Sequence, residues 1–193
     1  MPNLYIIAGC NGAGKTTASY TILPEMLHCR EFVNADSIAA GLSPFNSESV
    51  AFEAGRIMLQ RIYQLMEEKV DFAFETTLAA KTYMTLIREA KVADYEITLL
   101  YFWIISPELA KQRVAQRVSD GGHDIPPHII EKRYYRGLHN LINLYLPVCD
   151  NWIVINNMDS TPNIIARGTL ASELDIINND IWEPILIKSK YDN

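Results

Sequence analysis

Cysteine is scarce in this chain. Three residues of 193, Cys10, Cys29 and Cys149, stand far apart and form no Cys-x-x-Cys pair. Neither a disulfide framework nor a zinc site is therefore expected, and a reducing cytoplasm is the expected compartment. Basic charge is also short, since 17 Lys and Arg against 23 Asp and Glu give a net charge of −6. Affinity for a nucleic-acid backbone needs a surplus of cations, so nucleic acid is not the expected partner. The longest apolar run, Ile97 to Ile105, is interrupted by Thr98 and is far too short to span a bilayer, so no membrane association is expected. The first residues, Met-Pro-Asn, lack the basic region, apolar stretch and cleavage site of a secretion signal. Repeats, low-complexity tracts and linkers are missing as well. With 49% hydrophobic and 21% charged residues, what remains is the composition of one globular domain over residues 1–193.

Short apolar runs alternate with segments of helical periodicity, the pattern of βα units around a mainly parallel sheet. Five strands are predicted, near Leu4–Ala8, Glu31–Asn34, Val70–Phe74, Ile97–Ile105 and Trp152–Ile155. Between them, Val50, Ala54, Ile57, Met58, Ile62 and Leu65 recur at helical steps, which predicts an amphipathic helix with Ser47 as its cap. Met84, Ile87 and Ala90 mark a second helix. Ser106-Pro107-Glu108 supplies an N-cap, a proline at the first helical position and an acid in the first turn, predicting a helix that runs to about Ser119. A further helix, opened by Pro126-Pro127, carries Ile130, Tyr134, Leu138, Leu141 and Tyr145. Past Asn157 only short helical pieces are expected.

Gly9-Cys10-Asn11-Gly12-Ala13-Gly14-Lys15-Thr16 fits GxxxxGK[ST] between a strand and a helical segment, the context that this motif requires. Its glycines let backbone N–H groups approach and ring phosphates, and the helix that follows adds the positive end of its dipole. ATP is the implied cofactor, with Gly9, Asn11, Gly12, Ala13, Gly14, Lys15, Thr16 and Thr17 as its binding residues. Lys15 is expected to reach the transferring phosphate and to be solvated between phosphates rather than buried in a core, and the hydroxyl of Thr16 is expected to hold Mg²⁺.

Asn34-Ala35-Asp36 stands at the carboxyl end of the second strand, where α/β sheets place their ligands. Asp36 can accept the proton of an attacking hydroxyl or orient it; capping a helix is the plainer role for such an aspartate. Glu75-Thr76-Thr77 follows Phe72-Ala73-Phe74 on the same rim, offering a carboxylate and hydroxyls to substrate hydroxyls or to a metal-bound water, with capping again the alternative for the threonines. Arg113 and Arg117 are four apart on one helix, and Arg133 and Arg136 are three apart on the next. They flank Ser119-Asp120-Gly121-Gly122-His123-Asp124, a hinge-like segment within a lid expected at about 119–127. A lid that delivers guanidinium groups to phosphates would stabilise transferring charge and exclude water; a solvated basic face is the alternative. His123 reads as a polar loop residue.

Taken together, GCNGAGKTT (Gly9–Thr17), FVNAD (Phe32–Asp36), GLSPF (Gly41–Phe45), FETTL (Phe74–Leu78) and RVAQRVSDGGHDIP (Arg113–Pro126) resemble the zeta-toxin-like P-loop kinases over roughly residues 4 to 156. The resemblance implies a nucleotide-kinase-like α/β core with a lid, ATP and Mg²⁺, and a small-molecule hydroxyl as acceptor. In the best-known members that acceptor is UDP-N-acetylglucosamine. It further implies Asp36 as base, Lys15 and Thr16 in the phosphate loop, Glu75 and Thr77 at the substrate, Arg117 and Arg133 at the phosphates, and an antitoxin protein as a partner. Arg113 is assigned to the nucleotide and Arg136 to the substrate from their places beside the lid. Two other functions fit parts of the pattern. A nucleotide-dependent switch would not need an acceptor pocket at Asp36 and Glu75, and a polynucleotide 5′-hydroxyl kinase would need an extended basic surface.

Overall fold

The computed structural model describes residues 1–158, 162–170 and 174–191. In chain order the main elements are β1 (Asn3–Ala8), α1 (Lys15–Thr21), β2 (Glu31–Val33), α2 (Ala35–Leu42), α3 (Ala51–Glu68), β3 (Phe72–Thr76), α4 (Tyr83–Val92) and β4 (Glu96–Trp103). They continue with α5 (Pro107–Ser119), α6 (Pro127–Asn140), β5 (Asn151–Asn156), β6 (Asn163–Thr169), β7 (Asp175–Ile176) and α7 (Asn179–Lys188).

One sheet of seven strands, ordered β2-β3-β1-β4-β5-β6-β7, forms the middle layer. The first five strands run parallel; β6 pairs antiparallel with β5 and β7 antiparallel with β6, so β7 again runs with the first five. Parallel strands are covered on both faces, which is why β1 and β4 are near-continuous apolar runs with Leu4, Ile6, Ile7, Ile97 and Leu99 wholly buried. Phe72 and Phe74 of β3 are buried with them, and emptying either site would cost about 3–5 kcal/mol.

The five strands and four helices predicted up to Asn157 are present, but the count of five is corrected to seven. The expectation of short helical pieces after Asn157 is replaced by β6, β7 and α7. β6 follows β5 as an antiparallel partner rather than after a crossover, so the βα rhythm that marks the earlier strands is missing there. α7 covers the outer strands, with Trp182 stacked on Trp152 at 6.0 Å between ring centroids. α5 is capped as predicted, the Leu109 N–H donating to the Ser106 hydroxyl. Ser47 does not cap α3. It opens a short 3₁₀ turn, and its hydroxyl faces the His123 ring instead. β3 extends to Thr76, so Glu75 and Thr76 belong to the strand rather than to the loop after it. Among the described residues, no helix is long and apolar enough to cross a membrane.

Candidate active site

The carboxyl ends of β1, β2, β3 and β5 meet on one rim. At the end of β1 the chain turns sharply at Gly9, whose φ of +141° and whose 2.3 Å approach of a would-be Cβ to the Phe102 carbonyl oxygen leave no room for another residue. The loop then runs to α1, with Asn11, Ala13 and Lys15 buried, Gly12, Gly14 and Thr16 half-buried, and Thr17 exposed. Register places Ile7 beside Glu75 and Val33 beside Phe74, so Glu75 stands between the start of the phosphate loop and Asn34.

Glu75 is the hub of this rim. One of its oxygens accepts from the Thr16 hydroxyl at 2.7 Å and from the Asn34 side-chain amide at 2.8 Å. The other lies 3.3 Å from the Lys15 ammonium. Lys15 also donates to the Cys10 carbonyl at 3.0 Å. It is only 5% exposed, so the expectation of a solvated lysine is corrected: without phosphate, the ammonium is compensated by a carboxylate and a carbonyl. An unpaired buried ammonium would be far more costly.

Asn34 serves twice. Its side-chain oxygen caps α2, accepting from the N–H groups of Asp36 and Ser37, while its amide reaches Glu75. The cap is therefore Asn34, and Asp36 is an exposed acid in the first turn. Asp36 lines a cavity of about 550 Å³ together with Ala40, residues 44–48, residues 121–124 of the loop between α5 and α6, and Pro126. Thr76 and Thr77 turn the chain after β3: the Leu78 N–H donates to the Thr76 hydroxyl at 3.0 Å, and the Ala79 N–H to that of Thr77 at 3.5 Å.

The four arginines separate into different settings. Arg133 donates to the Asn11 side-chain oxygen at 3.1 Å and so touches the phosphate loop. Arg136 and Arg133 line a cleft of about 490 Å³ with Lys81, Lys132 and Thr77, and no acid lines it. Arg113 donates to the carbonyls of Gly12, Asn157 and Met158 at 3.1–3.4 Å, clamping the loop to the end of β5. Arg117 donates to the His123 carbonyl, in the loop between α5 and α6.

Asn157 and the two lysines were not singled out in the sequence. The Asn157 amide donates to the Ala13 carbonyl at 2.7 Å. Its position just past β5, on the edge where α/β sheets bind ligands, was the available signal. Lys81 and Lys132 carried no such signal, because they come from the β3–α4 connection and from α6 and meet only in the fold. An apolar cavity of about 920 Å³ opens beside Gly14, Thr17, Arg113 and Asn157, floored by Leu100, Ile153 and Ile155. Burial pushes the Cys10 thiol up to about 11.

The residues suit magnesium. Mg²⁺ is usually held by one or two protein oxygens and by substrate phosphates, and the Thr16 hydroxyl beside the Glu75 carboxylate supplies such oxygens. Among the described residues, no group of three or more His, Cys, Asp or Glu is placed to hold a metal ion.

Solved structures share this fold. A chain of an AvrRxo1-ORF1:-ORF2 complex solved with ATP superposes with a TM-score of 0.77 at 17% identity, over 96% of this chain and 63% of that one. This chain thus spans less than two thirds of that protein. A chain of the PezAT chromosomal toxin-antitoxin system of Streptococcus pneumoniae gives a TM-score of 0.64 at 15% identity, covering 98% and 86%. An uncharacterized protein of Haemophilus influenzae is 27% identical over 126 residues, 65% of this chain and 88% of that protein. The zeta toxin family pattern matches residues 1–169, and with the phosphate loop, the rim carboxylates and the kinase-like sheet in place, the chain belongs to the zeta toxin family of P-loop kinases.

Proposed function

We propose that this kinase transfers the γ-phosphoryl group of ATP to a hydroxyl of a small molecule that itself carries phosphate, a nucleotide sugar of the UDP-N-acetylglucosamine kind being the class that the resemblance implies. The observation that carries the reading is the convergence of Lys15, Thr16 and Asn34 on Glu75, one strand away from Asp36. A site for a nucleotide needs a cation and a hydroxyl ready for phosphates, and an acceptor site needs a carboxylate facing open space. Both are on this rim.

The base of ATP fits the apolar cavity beside Gly14 and Asn157, and its phosphates lie along the loop backbone. Lys15 then exchanges Glu75 for phosphate oxygens, and Arg133 reaches the same charge from α6. Mg²⁺, held through Thr16, would neutralise charge on the β- and γ-phosphates. Asp36 takes the proton of the acceptor hydroxyl as its oxygen bonds to phosphorus and the bond to the ADP oxygen breaks. The cleft of Lys81, Lys132, Arg133 and Arg136 supports an anionic acceptor, because four cations without an acid gain most from a phosphate-bearing ligand. The two similar complexes pair a chain of this fold with a second protein, and an antitoxin partner is proposed here on that likeness.

The reading is tested by incubation with γ-labelled ATP, Mg²⁺ and a panel of nucleotide sugars, nucleosides and uncharged sugars, followed by mass spectrometry. Label in a phosphate-bearing acceptor supports it. ATP hydrolysis indifferent to every acceptor would favour the nucleotide-dependent switch.

A further inference from the structure

Arg117 is held in an unusual way. Its terminal Nη2 donates to the His123 carbonyl at 2.7 Å, while its Nε is buried with no partner. A guanidinium that gives one donor to a neutral carbonyl and hides another satisfies itself poorly, since its donors form a planar fork suited to two oxygens of one anion. The lid is moulded around this posture. Gly122 donates its N–H to the Arg117 carbonyl at 2.8 Å, and a Cβ on Gly122 would lie 2.6 Å from the Arg117 Cγ.

The other side of the lid is tied to the acceptor cavity. His123 Nδ1 lies 2.9 Å from the Ser47 hydroxyl, and among the described residues no other hydrogen bond joins residues 119–126 to the segment between α2 and α3. Both residues line the cavity that contains Asp36. An acceptor that places its hydroxyl at Asp36 must occupy the space whose two walls this hydrogen bond joins. The same lid residue, His123, thus meets Ser47 through its ring and Arg117 through its carbonyl.

We propose that Ser47 and His123 are positioning residues that tie the availability of Arg117 to the presence of acceptor. With the acceptor cavity empty, the latch holds the lid where its backbone occupies Arg117. An acceptor entering beside Asp36 breaks the Ser47–His123 bond, the lid shifts, and Arg117 exchanges the His123 carbonyl for phosphate oxygens that satisfy its Nε as well. The device limits the wasteful transfer of phosphate from ATP to water when no acceptor is bound. It rests on the kinase reading above.

The test needs no knowledge of the acceptor. ATP hydrolysis without acceptor and hydrogen exchange over residues 119–126 are measured for the wild type, Ser47→Ala, Ser47→Thr and His123→Ala. One ordinary hydrogen bond is worth roughly a two- to tenfold change, so Ser47→Ala and His123→Ala should raise both idle hydrolysis and lid exchange by about that factor, with KM for ATP little changed. Ser47→Thr, which keeps the hydroxyl, should restore both. A merely structural role for Ser47 would loosen the lid without raising hydrolysis, and that result overturns the proposal, as does wild-type behaviour of Ser47→Ala in both measurements. Should His123→Ala fail to fold, the Ser47 pair decides alone. A wild type that binds no ATP would overturn the kinase reading and this inference together, whereas ATP binding with an unresponsive latch would overturn the inference only.

Discussion

Lys15 opens α1 and Glu75 lies near the end of β3, and the two are 3.3 Å apart, each at most 10% exposed. On the proposed reading, the carboxylate occupies the lysine until a phosphate replaces it. Breaking a buried pair from one side leaves the other charge uncompensated, typically at a cost of several kcal/mol. Here Thr16 and Asn34 still contact the site, so Glu75→Gln should cost about 1–3 kcal/mol in the absence of nucleotide. Saturating ATP should return much of that loss, because the lysine then has phosphates to face. Thermal unfolding with and without ATP checks both halves.

Asp36→Asn keeps the size of the side chain and loses its charge. Removal of a general base commonly lowers a rate by about 10²- to 10⁴-fold. The variant should therefore transfer phosphate slowly while binding ATP nearly as well as the wild type, in calorimetry set beside single-turnover rates. Strong loss of ATP affinity with unimpaired transfer would instead place Asp36 at the nucleotide.

Arg133 and Arg113 should give different phenotypes. Arg133 touches Asn11 of the phosphate loop, and Arg133→Ala should weaken ATP and slow transfer together, each by roughly 10-fold or more, as loss of a charged hydrogen bond implies. Arg113 clamps three carbonyls, so Arg113→Ala should also lower the melting temperature and raise exchange across Gly9–Lys15. Arg133→Ala should leave loop exchange closer to wild type.

The basic cleft makes a prediction about the acceptor alone. Lys81→Gln and Lys132→Gln should raise KM for a phosphate-bearing acceptor several-fold, with KM for ATP unchanged. Added salt should shrink the difference, because both side chains are exposed.

The three thiols should be inert in the native protein. Burial pushes Cys10 and Cys29 up to about 11 and Cys149 up to about 12. An upward shift favours the neutral thiol, so at pH 8 only about one Cys10 in 10³ carries the reactive thiolate. Alkylation by iodoacetamide should be slow at pH 8, rise with pH, and become fast on unfolding. Mass spectrometry of modified peptides measures this.

Much of the rim was legible because its parts are short contiguous motifs at strand ends. The phosphate loop, Asn34-Ala35-Asp36 and Glu75-Thr76-Thr77 each announce themselves by a strand that stops and a polar residue that follows. Their meeting was not legible. Nothing in the spacing says that Glu75 pairs with Lys15, since that depends on β1 and β3 being neighbours in register. Arg113 and Arg117 look equivalent as a pair four apart on α5, yet one turns to the end of β5 and the other to the His123 carbonyl. β6 and β7 escaped notice because Asn163–Thr169 carries polar residues within a short strand, so neither an apolar run nor helical periodicity marks it. Ser47 reads as a cap by residue type, and its hydroxyl is drawn instead to a residue 76 positions away.

The central claim is that the loop holding Lys15 binds ATP for transfer, and Lys15→Met tests it most directly, since methionine keeps the length and bulk of the side chain without its charge. Single-turnover transfer from γ-labelled ATP should fall by about 10²-fold or more, as expected when a group that stabilises transferring charge is removed, in a protein whose circular dichroism shows it folded. A folded Lys15→Met variant that turns ATP over at near the wild-type rate would contradict the account.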